Sequence, residues 1–402
     1  KIFITGGEQD MSQNIVHIVL ARLPDAPAGV KGISLFIVPK FMPKSLDQRN
    51  GVKCGSIEHK MGLKASPTCV MNFDGATGYL LGAPNKGLNC MFTFMNSARL
   101  AIGIQGASHA EVSFQKSLAY SKDRLQMRSL SGPKNPSGPA DPIIVHPDVR
   151  RLLLSQKAVA EVGRMLNYYI AKQLDIIEYS EDGAQKTHAN GLLGLLTPIA
   201  KAFLSEAGFE AANMGLQCFG GHGYVQEWGM EQNVRDARIA CIYEGTTGIQ
   251  ALDLIGRKIL ANGAQNLHIL NQQIEQFCTA NVHHTKLSSM LKDVEKHNKE
   301  WPPLVQDIAR AAKVNPEEVG AASVDFLMYS GYVVLAYFWA QAAVTAQEAL
   351  DAGTTEPAFY EAKIKTAQFY FKRLLPKTRG YVATMLSGAE SLMDLEAEHF
   401  SF

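Results

Sequence analysis

At 402 residues the chain can bury a large core and form two to three domains. Charged residues make up 19% and the formal net charge is +1, so no global field draws it to nucleic acid or an anionic membrane surface. Six scattered cysteines (Cys54, Cys69, Cys90, Cys218, Cys241, Cys278) with no CxxC pair read as reduced core thiols of an intracellular protein, not as a disulfide framework.

The chain opens on Lys1, and Lys1–Thr5 reads as a strand already under way, so further sequence is expected upstream. No targeting segment is legible. Residues 1–90 read as β. Asn14–Arg22, Gly32–Pro39, Val52–Glu58 and Pro67–Phe73 are short Val/Ile/Phe-rich runs separated by Pro, Gly and Asp, as in a compact antiparallel sheet or barrel. Helices do not alternate with them, which argues against a Rossmann domain.

From Leu88 the period becomes helical. Arg99–Ser121 and Arg151–Tyr179 each place apolar residues on one face. Between them Ser129–Pro142 is too rich in Pro and Gly to be helical. A third helix is expected from Pro198 to Gln217, stopping at Gly220-Gly221, and a fourth after Glu244, which makes a bundle. Beyond Ala261, Gln265–Thr285, Pro303–Ala312, Pro316–Ala352 and Pro357–Leu386 read as further helices. No apolar run reaches membrane-spanning length. The nearest, Tyr332–Ala346, is interrupted by Gln341 and reads as a buried helix.

The densest chemistry lies between Gln217 and Gln250. The glycine turn Gly220-Gly221-His222-Gly223 ends an apolar helix and lets backbone approach a planar or phosphorylated ligand. Arg235, Asp236 and Arg238 follow. Glu244 then stands alone between Tyr243 and Gly245, just after an apolar run, where burial would raise its proton affinity and fit it for general-base work.

In this order and spacing Gln217, Gly220, Gly221, Gly223, Arg235-Asp236-Ala237 and Ile242-Tyr243-Glu244-Gly245-Thr246 resemble the signature of the acyl-CoA dehydrogenases, flavoproteins that desaturate acyl thioesters at the α,β position. Glu244–Leu254 followed by Gly256-Arg257-Lys258, with the helices beyond Ala261, is similar to the larger subfamily that includes the 3-methylmercaptopropionyl-CoA dehydrogenases. The resemblance implies an α+β fold: a β-domain (1–90), a helical bundle carrying FAD and the catalytic base (91–261) and an additional helical domain (262–402). The family's N-terminal helical domain is expected upstream of Lys1.

Carried over residue by residue, the resemblance makes Glu244 the base that takes the α-proton and Arg99 the group that orients it or its loop. Some relatives carry the base on the helix, before an arginine; here that position is Ala98, which cannot act. Tyr243 and Gly245 would line the thioester pocket. FAD contacts would come from Phe3 and Thr5, from Arg124, Gln126 and Met127, from Gln217, Gly220 and Gly221, and from Thr246. Phe3 stands where the family commonly has Trp, Met127 replaces an aromatic, and Gly248 replaces a polar residue. The implied product is a trans-2-enoyl-CoA, as in fatty-acid β-oxidation, with electrons passing to an electron-transfer flavoprotein. A cofactor contacted across subunits implies a homodimer or homotetramer. The expected location is the bacterial cytoplasm or a mitochondrial matrix.

Two other readings stay open: an acyl-CoA oxidase, told apart by peroxide yield, and a DNA-associated binding protein of the same fold, told apart by a gel shift. Other chemistries lack their motifs. No HExxH occurs, His283 and His284 are expected to point apart on a helix, and no metal site is proposed. Gly106-Ala107-Ser108-His109-Ala110 fails the GxSxG pattern, and Gly82–Gly87 lacks a P-loop ending and reads as a turn.

Overall fold

The structure, a computed structural model, describes residues 2–402, with the backbone alone at Ile2. Residues up to Ala98 form one compact unit and Arg99–Phe402 a second.

The first unit is built on eight short strands: β1 (Ile2–Thr5), β2 (Val16–Arg22), β3 (Ile33–Pro39), β4 (Phe41–Met42), β5 (Ser45–Arg49), β6 (Val52–Ile57), β7 (Thr68–Phe73) and β8 (Tyr79–Leu81). All pairings are antiparallel. They form three sheets, β1-β7-β6, β2-β3-β8 and β4-β5, where the sequence suggested one sheet or a barrel. The four apolar runs are strands, because alternate side chains such as Val38, Val52, Cys69 and Met71 meet in a small core. Strands β4, β5 and β8 went unread, since β5 and β8 are exposed along their length and β4 has only two residues. Buried Asn50 ties the turns together: its amide donates to Pro39 O and Thr77 O, while its Oδ1 accepts from the N–H of Gly51 and Thr77.

The helices are α1 (Gly87–Asp123), α2 (Pro147–Tyr179), α3 (Gly183–Phe219), α4 (Met230–Arg238), α5 (Thr247–Leu252), α6 (Gln265–Ala280), α7 (Ser288–Ala312), α8 (Glu317–Asp351), α9 (Pro357–Phe369), α10 (Thr378–Met385) and α11 (Glu390–Met393). Two starts differ from expectation for one reason. Pro198 and Pro302-Pro303 suggest first turns, where proline is favoured, yet each lies inside a helix. The true start of α3 is marked by Asp182, whose carboxylate caps the N–H groups of Ala184 and Gln185. The fourth bundle helix is short: α5 runs into a π-helical turn, Asp253–Ile259. The expected Pro357–Leu386 helix is likewise broken by a π-turn, Tyr370–Leu374, and a 3-10 turn.

One apolar cluster runs from Leu100 of α1 through α2, α3, α5, α6, α7 and α8 to Met385 of α10. The helices after Ala261 therefore share the core of the bundle, and the packing draws no boundary there. Among the described residues two segments, Gly183–Tyr224 and Glu317–Asp351, are long and apolar enough to cross a membrane by length and composition, which corrects the sequence reading. Their most apolar windows are 83% and 67% buried against other helices, as in the core of a helical protein. Helices α1 and α3 meet backbone to backbone: a Cβ at Gly106 would stand 2.2 Å from Leu204 O, and one at Gly208 2.3 Å from Gly106 O.

The connection from α1 to α2 has no regular structure, as expected, but it is well organised. Fully buried Asp141 accepts from the N–H groups of Ser129, Lys134 and Asn135 at 2.8, 2.9 and 2.7 Å and from Arg128 at 3.2 Å. Burial pushes this carboxyl upward, but the three backbone donors and the guanidinium outweigh it and hold the pKa at about 2.

Two predictions follow from this packing. Gly208→Ala gains about 1 kcal/mol of helix propensity but forces α1 and α3 apart at a cost of roughly 1–3 kcal/mol, so a lower melting temperature is expected. For the loop, a depressed folded pKa means that Asp141 stabilises above its ordinary value of 3.8, and the contribution is lost as pH falls through about 2. Amide exchange across residues 128–141 should accelerate in that window, and Asp141→Ala should show the fast rate already at neutral pH.

Candidate functional site

The turn carrying Glu244 joins the short 3-10 segment Ile239–Cys241 to α5. Its backbone is unusual. Glu244 has φ +55° and Gly245 φ +94°, so a non-glycine residue occupies the left-handed region, which costs about 1–2 kcal/mol. Three side chains hold it there. Lys201, fully buried in α3, donates from Nζ to Ala240 O at 2.8 Å and to Gly245 O at 2.5 Å. Gln250, fully buried in α5, donates from Nε2 to Glu244 O at 3.0 Å. Thr246 caps α5, its hydroxyl accepting from the N–H of Ile249 at 3.3 Å. Glycine suits position 245 because φ is +94°, which L side chains rarely adopt, and a Cβ there would also displace Gln250 Nε2, 2.4 Å away.

With the carbonyls of 244 and 245 turned toward the core, the Glu244 side chain faces outward and is exposed. The dry carboxylate expected from the sequence is not what this chain provides. An apolar run preceding a residue says which way the run faces, and the left-handed turn reverses that direction at Glu244. Tyr243 is half-buried and its hydroxyl donates to Gln105 of α1. Burial raises the Tyr243 pKa, with the Gln105 bond opposing and the Glu244 charge adding to the rise.

Arg99 is buried, as expected, but its carboxylate partner is Asp253, not Glu244. The Nη1–Oδ2 distance is 3.1 Å, and both side chains are 8% exposed. Asp253 also accepts from Arg257 at 2.6 Å. Arg99 thus ties α1 to the residue that follows α5 and reaches the Glu244 turn only through that helix; its Nε has no hydrogen-bond partner among the described residues. Lys201 and Asp253 escaped the sequence reading. A signal for the first was there: a single lysine inside the apolar run Leu192–Ala212, where a charge needs built-in partners. Burial lowers the Lys201 pKa to about 8, against the opposing charges of Cys241, Glu206 and Glu244.

A second group forms where α1 and α3 end. α3 stops at Phe219 with Gly220 at φ +55°, whose N–H bonds Gln217 O. Gln217, Gly220 and Gly221 are exposed. A cleft of about 510 Å³ opens there, lined by Lys116, Tyr120, Arg124, Phe219, His222 and Trp228 among others. Tyr120 stacks on Phe219 at 4.1 Å, His222 stacks on Trp228 at 4.5 Å, and the Tyr120 hydroxyl lies 2.9 Å from His222 Nδ1. Flat aromatic walls with two cations at the rim suit a purine joined to a diphosphate. Gln126 and Met127 follow Arg124 in the connection; both are exposed, Met127 with φ +60°. The backbone of Gln126 pairs with Asp141 O and His146 Nε2 and that of Met127 with the Asp141 N–H, which fixes the loop and leaves their side chains outside. The aromatic lining from Tyr120, His222 and Trp228 was not read from the sequence.

Phe3 and Thr5 lie on β1 of the first unit, opposite Val70 and Thr68, and both side chains are exposed. His283 and His284 sit in a turn after α6 with ring centroids 4.1 Å apart, so they converge where the sequence suggested divergence.

Comparison with known proteins gives these groups a context. Residues 85–260 match the domain description "Acyl-CoA dehydrogenase, C-terminal domain", and residues 270–396 match "Acetyl-CoA dehydrogenase C-terminal like". The 3-methylmercaptopropionyl-CoA dehydrogenase of Ruegeria pomeroyi is 39% identical over 98% of this chain and 67% of its own length. The broad-specificity linear acyl-CoA dehydrogenase FadE5 of Mycobacterium tuberculosis is 34% identical over the whole chain and 68% of its own length. Among solved structures, ACDH-11 of Caenorhabditis elegans, in complex with C11-CoA, shares the fold with a TM-score of 0.76 at 20% identity, over 92% of this chain and 57% of that one. An acyl-CoA dehydrogenase from Bacillus anthracis, complexed with FAD, does so with a TM-score of 0.68 at 22% identity, over 92% and 60%. The chain thus spans about two thirds of the curated relatives and less of these solved structures. With its whole length aligned to such relatives, and the glycine turn and Glu244 turn both built, the chain belongs to the acyl-CoA dehydrogenase family.

Proposed function

We propose that this chain carries the base and part of the cofactor site of a FAD-dependent acyl-CoA dehydrogenase that converts an acyl-CoA thioester to its trans-2-enoyl-CoA. One observation carries the reading. Glu244 is locked in a left-handed conformation by buried groups that hold its backbone inward, so its carboxylate is presented outward at a fixed point. Backbone strain of this kind persists only where the surroundings impose it, and it gathers at functional sites.

The chemistry makes distinct demands on the residues. Removing the proton α to a thioester requires a carboxylate that water does not stabilise. Because Glu244 is exposed, that dryness has to come from what binds over it: the thioester, seated against Tyr243 and Gly245, covers the carboxylate and raises its proton affinity as it does so. Glu244 then takes the α-proton. Bound FAD would supply the acceptor for the β-hydride, and the electrons would pass on to an electron-transfer flavoprotein. Arg124 and Lys116 at the glycine-turn cleft would hold the adenosine diphosphate end of that cofactor, and the bare backbone of Gly220 and Gly221 leaves room for it there. Thr246 is engaged as a helix cap, so any contribution to the cofactor comes from the same hydroxyl. Arg99 supports the turn from behind, through Asp253.

Two variants test this. Glu244→Gln in the full protein should keep the yellow flavin colour but lose roughly 10²–10⁴-fold in the rate of anaerobic bleaching by acyl-CoA thioesters; undiminished bleaching rejects the assignment. Arg124→Ala removes a charged donor worth about 1.5–3 kcal/mol, so FAD should bind roughly ten- to a hundredfold more weakly, measured by flavin fluorescence on titration.

A further inference from the structure

Among the described residues, Lys201 is the one side chain that bonds both ends of the Glu244 turn, and the chemistry above asks of it neither a proton nor a ligand contact. It projects from α3 with no exposed surface. Its two hydrogen bonds go to the carbonyls of Ala240 and Gly245, one on each side of Ile242, Tyr243 and Glu244. Neither acceptor is a carboxylate. An ammonium buried against neutral carbonyls is an expensive way to fill space, because desolvation works against it and an apolar side chain would avoid that penalty. Burial accordingly lowers its pKa to about 8. What the ammonium does that an apolar group cannot is solvate two carbonyls that point inward together. The first belongs to the 3-10 segment Ile239–Cys241, and the second follows two successive residues, Glu244 and Gly245, with positive φ. Gln250 adds the third carbonyl, that of Glu244 itself.

We propose that Lys201 is a positioning residue for the base: by clamping Ala240 O and Gly245 O it holds residues 240–245 in the one conformation that aims the Glu244 carboxylate outward. The inference rests on the reading of Glu244 as base. Without the clamp, Glu244 relaxes toward negative φ, the carbonyls of 244 and 245 turn to water, and the carboxylate leaves its place. Turnover then falls because the base is misplaced, while the glycine-turn cleft, built from other residues, keeps its affinity for the cofactor.

The test compares Lys201→Met and Lys201→Gln with the wild type in the full flavoprotein. Melting temperature and flavin titration establish folding and cofactor binding, and the amide exchange of residues 240–250 is then followed by mass spectrometry. For Lys201→Met we expect retained flavin affinity, exchange across 240–250 at least about tenfold faster, and kcat lower by roughly 10²-fold with KM changed far less. Lys201→Gln, whose amide can reach one carbonyl, should fall between the two; it carries the comparison if the methionine variant does not fold. Unaltered exchange at 240–250, or kcat equal to wild type in a folded variant, overturns the proposal. Glu244→Gln measured alongside separates the two claims. Full turnover there rejects the base while leaving the exchange result standing, whereas a dead Glu244→Gln beside a fully active Lys201 variant rejects only the clamp.

Discussion

A buried ammonium facing two backbone carbonyls sets the geometry on which the Glu244 site depends. Lys201 sits in the middle of α3, a helix embedded in the apolar cluster, and Ala240 and Gly245 lie beyond that helix's end. The position of the turn is therefore referred to a buried element of the second unit. The same helix continues to Phe219 and Gly220, where the aromatic cleft begins. One element thus positions both groups of candidate residues, and its own position against α1 depends on Gly106 and Gly208 leaving no side chain between the two backbones.

The ionic groups near the turn work by restraint. Arg99 and Asp253 are nearly dry, and Asp253 is the carboxylate that compensates Arg99. Removing Asp253 would leave the buried guanidinium without its carboxylate, which costs more than the pair contributes. Asp253 is shared with Arg257 at the start of a π-helical turn, a geometry that recurs where a helix is adapted to a site. The consequence is local: α5, which carries Gln250 and begins at Thr246, is pinned at its far end to α1. The Glu244 turn is then held from the core by Lys201 and from its own following helix by Gln250.

Exposure of the carboxylate recasts how such a site can work. A base stored in a dry pocket needs no help from its substrate, whereas a base displayed at the surface becomes effective only once a ligand has displaced its water. In the proposed mechanism the binding of the thioester and the activation of the base are one event, so the proton-transfer step is reserved for complexes in which the acyl group is already seated.

Much of this was legible in the residues. Apolar periodicity marked the order of β-region and helices, because burial of one face leaves a repeat of two or of 3.6 in any sequence that folds this way. The glycine turn and the Tyr-Glu-Gly-Thr segment pointed to both candidate groups, since the backbone conformations required there restrict which residues can stand in them. What the sequence could not settle was decided by contacts between distant segments. Pro198 looked like a beginning and proved to be an interior, because tertiary packing carries α3 through it. Arg99 found Asp253, 154 positions away, where the family resemblance had suggested Glu244 or its loop. The apolar residues before Glu244 promised burial, but the direction of one side chain depends on φ at one residue. That angle is imposed by Lys201 and Gln250 from elsewhere in the fold, so only the tertiary structure could show the carboxylate facing out.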